Sequence, residues 1–207
     1  LTNTRKARIL YSNEKGNFMR IGIDCDGVLR NFIPHLTNHI KENHPELADQ
    51  ILTPHSWDWT QWLPFWTEDE TEKYVFETHF EEFFGPDCPP VQSSFEDWGG
   101  LREWAKENGH ELILVSAQRD NCKELTEAWL QRWGFVGFDE IHFTHQKWSI
   151  DVDVLIDDSP SKLGQFRKKS VANGQPICFR QTWNLNNQKT GYMPIDRLSD
   201  IQTRVFG

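Results

Sequence analysis

Long apolar runs are missing from this 207-residue chain. No stretch approaches the ~20 consecutive apolar residues of a membrane-crossing helix, so a helical membrane protein is not expected. Cysteine is scarce: four residues (Cys25, Cys88, Cys122, Cys178) and no CxxC pair, which removes the signal for a zinc knuckle or a dithiol redox site. In a chain of this length they read as reduced, mostly buried thiols. Basic residues are outnumbered, 22 Lys and Arg against 31 Asp and Glu, giving a net charge of -9. That sign disfavours a protein that grips polymeric nucleic acid through its phosphates, although a few local cations suffice for a small anionic substrate. No fixed-period repeat and no low-complexity tract is present. Residues 1–18 carry Arg5, Lys6 and Arg8 without the apolar stretch of a secretory leader, and are expected to be an extension outside the core. Aromatic residues, by contrast, are plentiful. Ten Trp and fourteen Phe are too many for a disordered chain. The composition points to an acidic globular protein of the cytoplasm, one domain or a core with a small insert.

Organised patterning starts at Met19. The apolar run of residues 20–23 ends in Asp24 and is followed by Gly27, as in a buried strand leading into a turn. From Pro34 the character changes to helix, with Leu36, Ile40 and Lys41. A Trp-rich stretch follows, punctuated by Pro54 and Pro64, and then Thr67 with Glu70 forms a capping box that opens a helix through Tyr74, Val75, Phe76 and Phe80. Gly85-Pro86 stops it and Pro89-Pro90 makes a stiff exit. Beyond this the chain alternates. A helix capped by Ser94 and closed by Gly109 precedes a strand at residues 112–116, and a helix over residues 121–133 precedes a brief strand at 141–143. A strand at 152–156 runs into Asp157-Asp158, a helix opens at Ser159-Pro160, and residues 176–179 form the last expected strand. Strands separated by helices in this way predict an α/β core with a doubly wound, Rossmann-like parallel sheet. The expected division is 19–32 plus 93–207 for the core and 33–92 for a helical insert.

Ligands of open parallel sheets bind at the carboxyl ends of the strands. The predicted strand ends carry Asp24 with Asp26, Ser116, the 144–147 loop with Lys147, and Asp157 with Asp158. Clustered carboxylates suit Mg²⁺, a hard cation that commonly arrives with a phosphate. A hydroxyl, a lysine and turn amides suit the oxygens of a transferring phosphoryl group. The inventory matches metal-assisted phosphoryl transfer.

Residues 23–29 (IDCDGVL) resemble the first motif of the haloacid dehalogenase-like (HAD) phosphohydrolases, Val115-Ser116 the second, Lys147 the third and residues 155–158 (LIDD) the fourth, in the family's order. Within that superfamily, residues 24–32 (DCDGVLRNF), Lys147 ten residues before Asp157, the IDDSP turn and residues 179–184 (FRQTWN) resemble the 5′(3′)-deoxyribonucleotidases. The insert after motif one stands where that group carries its helical cap. Two positions depart from the pattern: Ala117, where relatives often have a second hydroxyl, and Cys25, in place of an apolar residue.

The resemblance implies a Mg²⁺-dependent phosphatase of nucleoside monophosphates, deoxyribonucleotides first. Asp24 would be the nucleophile and Asp26 the general acid and base. Ser116 and Lys147 would bind phosphoryl oxygens, with Ala117 beside them. Mg²⁺ would be held by Asp24, Asp26 through its carbonyl, and Asp158 or Asp157. Asp158 is preferred as the direct ligand, and Asp157 would orient Lys147 or a metal-bound water. Crowded carboxyls should have raised pKa values in the absence of metal. Phe32 would stack on a base. Trp57, Trp59, Trp62, Phe65 and Trp66 offer a further aromatic wall, with Trp62 and Trp66 as candidate substrate contacts; the competing expectation is that these rings form the insert's own core. Expected partners are a small nucleotide, no polymeric nucleic acid and no membrane, with a homodimer left open.

Other side chains have plainer readings. His35 and His39 are spaced for a shared metal but lack an HExxH pattern, and are expected on a solvent face. Glu68, Asp69, Glu70 and Glu72 favour a helix N-terminus. Lys162, Arg167, Lys168 and Lys169 read as a solvated helix face, with Lys162 a weak competitor of Lys147. Arg30 and Arg119 stand near enough to motifs one and two to reach a phosphate, and His145 shapes the lysine loop. Two competing functions remain open at this level: a phosphatase of sugar phosphates or another small metabolite, and a non-catalytic phospholigand-binding protein on the same fold.

Overall fold

The computed structural model describes residues 18–185 and 192–205, so the expected extension lies outside the described residues apart from Phe18. Six strands, β1 (Arg20–Ile23), β2 (Glu111–Ser116), β3 (Glu140–Phe143), β4 (Val154–Asp157), β5 (Gln175–Phe179) and β6 (Met193–Ile195), form one sheet in the order β3-β2-β1-β4-β5-β6. Every pairing is parallel. The order reverses beside β1, so a crevice opens at the carboxyl ends of β1 and β4.

The strands alternate as a doubly covered sheet requires. Ile21 and Ile23 of β1, Leu112 and Leu114 of β2, and Val154 and Ile156 of β4 turn to one face. There they meet Trp98, Leu101 and Ala105 of α4 (Gln92–Asn108) and Trp129 and Leu130 of α5 (Lys123–Arg132). Ile113, Val115 and Leu155 turn to the other face, against Phe166 of α6 (Pro160–Lys169). A short α7 (Asp200–Arg204) adds Ile201 to the first face. All four thiols are free, three of them buried.

Between β1 and α4 the chain makes no strand. It builds α1 (Phe32–Asn43), 3₁₀ turns at Pro45–Gln50 and Trp59–Gln61, α2 (Glu68–Lys73), a π-helical turn at Tyr74–Thr78, and α3 (Phe80–Phe84). Leu36 and Ile40 of α1 pack with Trp62, Leu63, Tyr74, Val75, Phe83 and Phe84 in a cluster separate from the two sheet faces. The segment leaves and returns side by side: Asn31 N–H donates to the Pro89 carbonyl, and Val91 N–H to that of Leu29.

Three expectations are corrected. The capping box forms, with Thr67 and Glu70 exchanging hydrogen bonds, but the helix it opens is not continuous through Phe80. At ~100° per residue, an unbroken helix would set Tyr74 and Phe83 on opposite faces. The π turn, closed by His79 N–H on the Tyr74 carbonyl, absorbs a residue and brings both rings into one cluster. Ser94 is not the cap of α4, which starts after Val91; its hydroxyl donates to the Val28 carbonyl at 2.6 Å and ties α4 to the β1 turn. Residues 176–179 are not the last strand. β6 was illegible because Met193-Pro194-Ile195 is three residues long and contains a proline, which a sheet tolerates at its edge. Gly109, at φ 72°, closes α4 as expected. Among the described residues no helix is long and apolar enough to cross a membrane.

Candidate active site

Asp24 follows the last residue of β1, Asp157 ends β4, and Lys147 opens a 3₁₀ turn after β3. Parallel pairing of β1 with β4 brings the two carboxylates together, and the Lys147 ammonium lies between them, 2.7 Å from Asp24 Oδ1 and 2.7 Å from Asp157 Oδ2. All three are buried. Asp157 Oδ1 also accepts from the Ser159 N–H at 2.7 Å, so both its oxygens are engaged. Burial pushes the Asp24 carboxyl up to about 7; the Lys147 charge opposes this and the Asp157 charge adds to it. Burial alone would lower the Lys147 ammonium, but Asp157 and Asp24 outweigh it and hold its pKa above the usual lysine range.

Asp26 sits one residue beyond Cys25 and is gripped from two sides. Arg30, one turn on, donates to its Oδ1 at 3.1 Å, and Gln118 Nε2 donates to its Oδ2. Gln118 also donates to the Ser116 hydroxyl at 3.2 Å. Arg30 is itself fully buried, donating to Thr126 Oγ1 and lying over the rings of Phe84 and Trp129. It is therefore not free to reach a phosphate and instead braces Asp26. Arg119 is turned away as well, paired with Glu72 at 2.7 Å and resting on the Phe76 ring.

Asp158 is the most constrained member. Its Oδ2 accepts from Trp183 Nε1 at 2.6 Å and from Trp57 Nε1 at 3.1 Å, and its carbonyl accepts from Asn184 Nδ2 at 2.8 Å. Burial, then the charges of Asp157 and Asp24, push its carboxyl well up, against the Trp183 hydrogen bond. Gly27 is needed beside it: at φ +79° its backbone is left-handed, and a Cβ there would lie 2.0 Å from Asp158 Oδ2.

The donor set fits a hard divalent cation. Asp24, Asp157 and Asp158 each offer an oxygen, all within 4.8 Å of one another. Asp158 Oδ1 is buried with no hydrogen-bond partner among the described residues. An ionised oxygen left that way is costly, and a bound cation would relieve it.

A cavity of about 260 Å³ opens above these groups. Asp24, Asp26, Lys147 and Asp158 form its polar floor, with Ala117 beside them, and Phe32, Trp57, Trp59, Phe76 and Phe84 its aromatic walls. Phe32 and Trp57 are stacked, with centroids 6.1 Å apart and planes at 27°. Ser116 is buried behind Gln118, and Ala117 is its neighbour on the lining. Two of the sequence-level substrate contacts are corrected. Trp62 is buried in the insert's core, donating to the Ser56 carbonyl, and Trp66 packs on Tyr74 at 4.6 Å; neither lines the cavity. His145 and Lys162 do line it, so Lys162 is more than a solvated helix residue. The histidines expected in solvent, His35 and His39, are half-buried among aromatic rings. The sequence alone does not reveal Gln118 or the roles of Trp57 and Trp183. Trp183 lies in the FRQTWN segment, and Gln118 two residues past Ser116, but only the tertiary structure carries these side chains to the carboxylates.

Solved structures share this architecture. A predicted phosphoglycolate phosphatase of Haemophilus somnus superposes with a TM-score of 0.57 at 17% identity, covering 91% of this chain and 98% of that one. A HAD family hydrolase of Deinococcus radiodurans, solved with bound phosphate and sodium, gives 0.53 at 14% identity over 91% and 95%. At such identities the likeness is one of fold. The class, a HAD-like phosphohydrolase, follows from this fold together with the family model and the curated relatives that match the sequence. More narrowly, the sequence model of the family described as 5′ nucleotidase, deoxy (pyrimidine), cytosolic type C matches residues 17–197, and the chain belongs to that family of phosphoric monoester hydrolases. Among curated relatives, a protein of Oceanobacillus iheyensis named a putative nucleotidase is 26% identical over 82% of this chain and 91% of its own. Another, of Chlorobaculum tepidum, named a putative 5′(3′)-deoxyribonucleotidase, is 23% identical over 81% and 82%.

Proposed function

We propose that the chain is a Mg²⁺-dependent cytoplasmic phosphatase that hydrolyses nucleoside monophosphates, deoxyribonucleotides foremost, to nucleoside and phosphate through an aspartyl-phosphate on Asp24. The observation that carries this is the Lys147 ammonium, 2.7 Å from both Asp24 and Asp157 on the floor of an aromatic-walled cavity. Residues 33–92 are the cap in this scheme, and Phe32 with Trp57 supplies flat surface for a base.

Asp24 attacks phosphorus in line, and the bond from phosphorus to the ester oxygen breaks. Asp26 delivers a proton to the departing nucleoside oxygen, then takes one from the water that attacks the phosphoryl group and releases Asp24. Lys147, on the cavity lining, binds phosphoryl oxygens and also shields the attacking carboxylate from phosphate charge, while the buried Ser116 hydroxyl supports the Gln118 amide that holds Asp26. Asp24, the Asp26 carbonyl and Asp158 would hold Mg²⁺, with Asp157 orienting Lys147. When bound, the ion neutralises phosphoryl charge.

The test is phosphate release from ribo- and deoxyribonucleoside monophosphates and sugar phosphates, with Mg²⁺ and with EDTA, beside Asp24→Asn. Metal-dependent turnover of deoxynucleotides that disappears in the variant is the expected result. Turnover confined to sugar phosphates would remove the base-binding role of the aromatic walls. No turnover of any substrate would overturn the enzymatic proposal.

A further inference from the structure

Away from the carboxylate crevice, the insert gathers a second group of metal-ligating side chains. His39 comes from α1, while His79 and Glu82 come from the junction where the π turn hands over to α3. One donor atom from each lies within 4.8 Å of the other two. We propose that His39, His79 and Glu82 form a binding site for zinc or a similar borderline divalent cation, which cross-links α1 to α3.

Three features make this more than a chance meeting of histidines. First, two of the three donors are already paired. His79 Nδ1 and Glu82 Oε1 share a hydrogen bond at 3.2 Å, and a cation that replaced its proton would need little movement, the edge of a tetrahedron with bonds of about 2.1 Å being ~3.4 Å. Second, the supporting contact of a metal-binding histidine is in place. His39 Nδ1 is 2.9 Å from the Tyr74 hydroxyl, which fixes the ring and leaves Nε2 as the ligand atom. Third, the His39 ring is held against Phe83 with centroids 4.8 Å apart, so little side-chain freedom remains to be lost on binding. Burial, followed by the neighbouring His79, lowers the pKa of His39, which favours the neutral imidazole that a metal requires.

The donor chemistry separates this site from the other. Imidazole nitrogens suit zinc and its neighbours, whereas the oxygen-only set of Asp24, Asp157 and Asp158 suits magnesium. The π turn has a purpose here too. It is the device that places His79 beside His39, their ring centroids 4.8 Å apart.

The site is tested on the full chain, stripped with a chelator and held in excess Mg²⁺ so that the carboxylates are occupied. Zinc chloride is titrated in while the histidine ring nitrogens are followed by long-range proton–nitrogen NMR. The expected result is a shift of His39 Nε2 and one His79 ring nitrogen, unchanged in Asp158→Asn. Glu82→Gln, at the surface, should bind zinc at least ~10-fold more weakly, and Tyr74→Phe, which keeps the ring but removes the hydroxyl, ~10-fold to 100-fold more weakly. The proposal is overturned if zinc moves no ring nitrogen of His39 or His79, if it moves only His145 beside the carboxylates, or if both variants bind zinc as tightly as the parent.

Discussion

The indole N–H of Trp57 donates to Asp158 Oδ2 at 3.1 Å, so a residue of the inserted helical segment holds a carboxylate at the carboxyl end of the central strand β4. The two residues are separated by 101 positions in sequence and belong to different packing units. Trp57 also stacks on Phe32, so one ring serves both the cavity wall and the carboxylate.

Trp57→Phe keeps the wall and removes the donor. Loss of such an outer contact should weaken Mg²⁺ binding about 10-fold, the low end for contacts of this kind, since Trp183 still holds Asp158 Oδ2. Calorimetric titration with Mg²⁺ measures this directly. An unchanged affinity would mean that Trp57 is wall only.

Asp26→Asn should cost roughly 10²–10⁴-fold in turnover of nucleotide esters, whose leaving oxygen needs a proton. With a nitrophenyl phosphate the leaving group departs unaided, so the first step survives while hydrolysis of the acyl phosphate lacks its base. A burst of nitrophenol and a trapped phosphoenzyme, detected by mass spectrometry on Asp24, are the expected outcomes. Equal loss on both substrates, with no burst, would remove Asp26 from proton transfer.

The buried Asp24 carboxyl predicts an unusual pH dependence of stability. Its pKa is about 7 in the metal-free fold against an ordinary value of 3.8. Between these values the folded chain holds a proton that the unfolded chain has lost, so stability falls as pH rises from about 4 to about 7 and is then level. Asp158, raised in the same direction, acts with the same sign. Under the proposed function Mg²⁺ would select the ionised carboxylates and reverse the trend. The rise in Tm on adding Mg²⁺ should therefore be larger at pH 8 than at pH 5.5, as read by calorimetry with and without EDTA. A Mg²⁺ effect larger at the acid end would contradict this assignment.

Gly27→Ala should be disproportionately harmful for one methyl group. The left-handed φ costs ~1–3 kcal/mol in a non-glycine residue. The new Cβ would also fall 2.0 Å from Asp158 Oδ2 and displace that carboxylate. Both a lower Tm and a loss of Mg²⁺ binding are expected. A variant that lost stability but kept Mg²⁺ affinity would show that Asp158 can relocate.

Much of this protein is determined by its sequence alone, because the determining interactions are local or periodic. Unbroken apolar runs in β2 and β4, beside the Ile21-Gly22-Ile23 of β1, define strands buried on both faces. The Thr67–Glu70 box starts α2, Gly109 ends α4, and carboxylates directly after β1 and β4 must emerge at the same edge of a parallel sheet. Tertiary structure decided what depends on contacts between distant segments. It buried Trp62 in the insert's core, laid Trp66 partly buried against it and turned Trp57 to the site, although all three lie within ten residues and have the same local signal. It locked Arg30 against Thr126, 96 residues away, and brought Gln118 and Trp183 to carboxylates 92 and 25 residues away. It broke an apparently continuous helix at Tyr74–Thr78, because packing Tyr74 and Phe83 on one side outweighs regular helical spacing. Side-chain identity says which groups are able to pair; only the folded chain brings one particular partner within 3 Å.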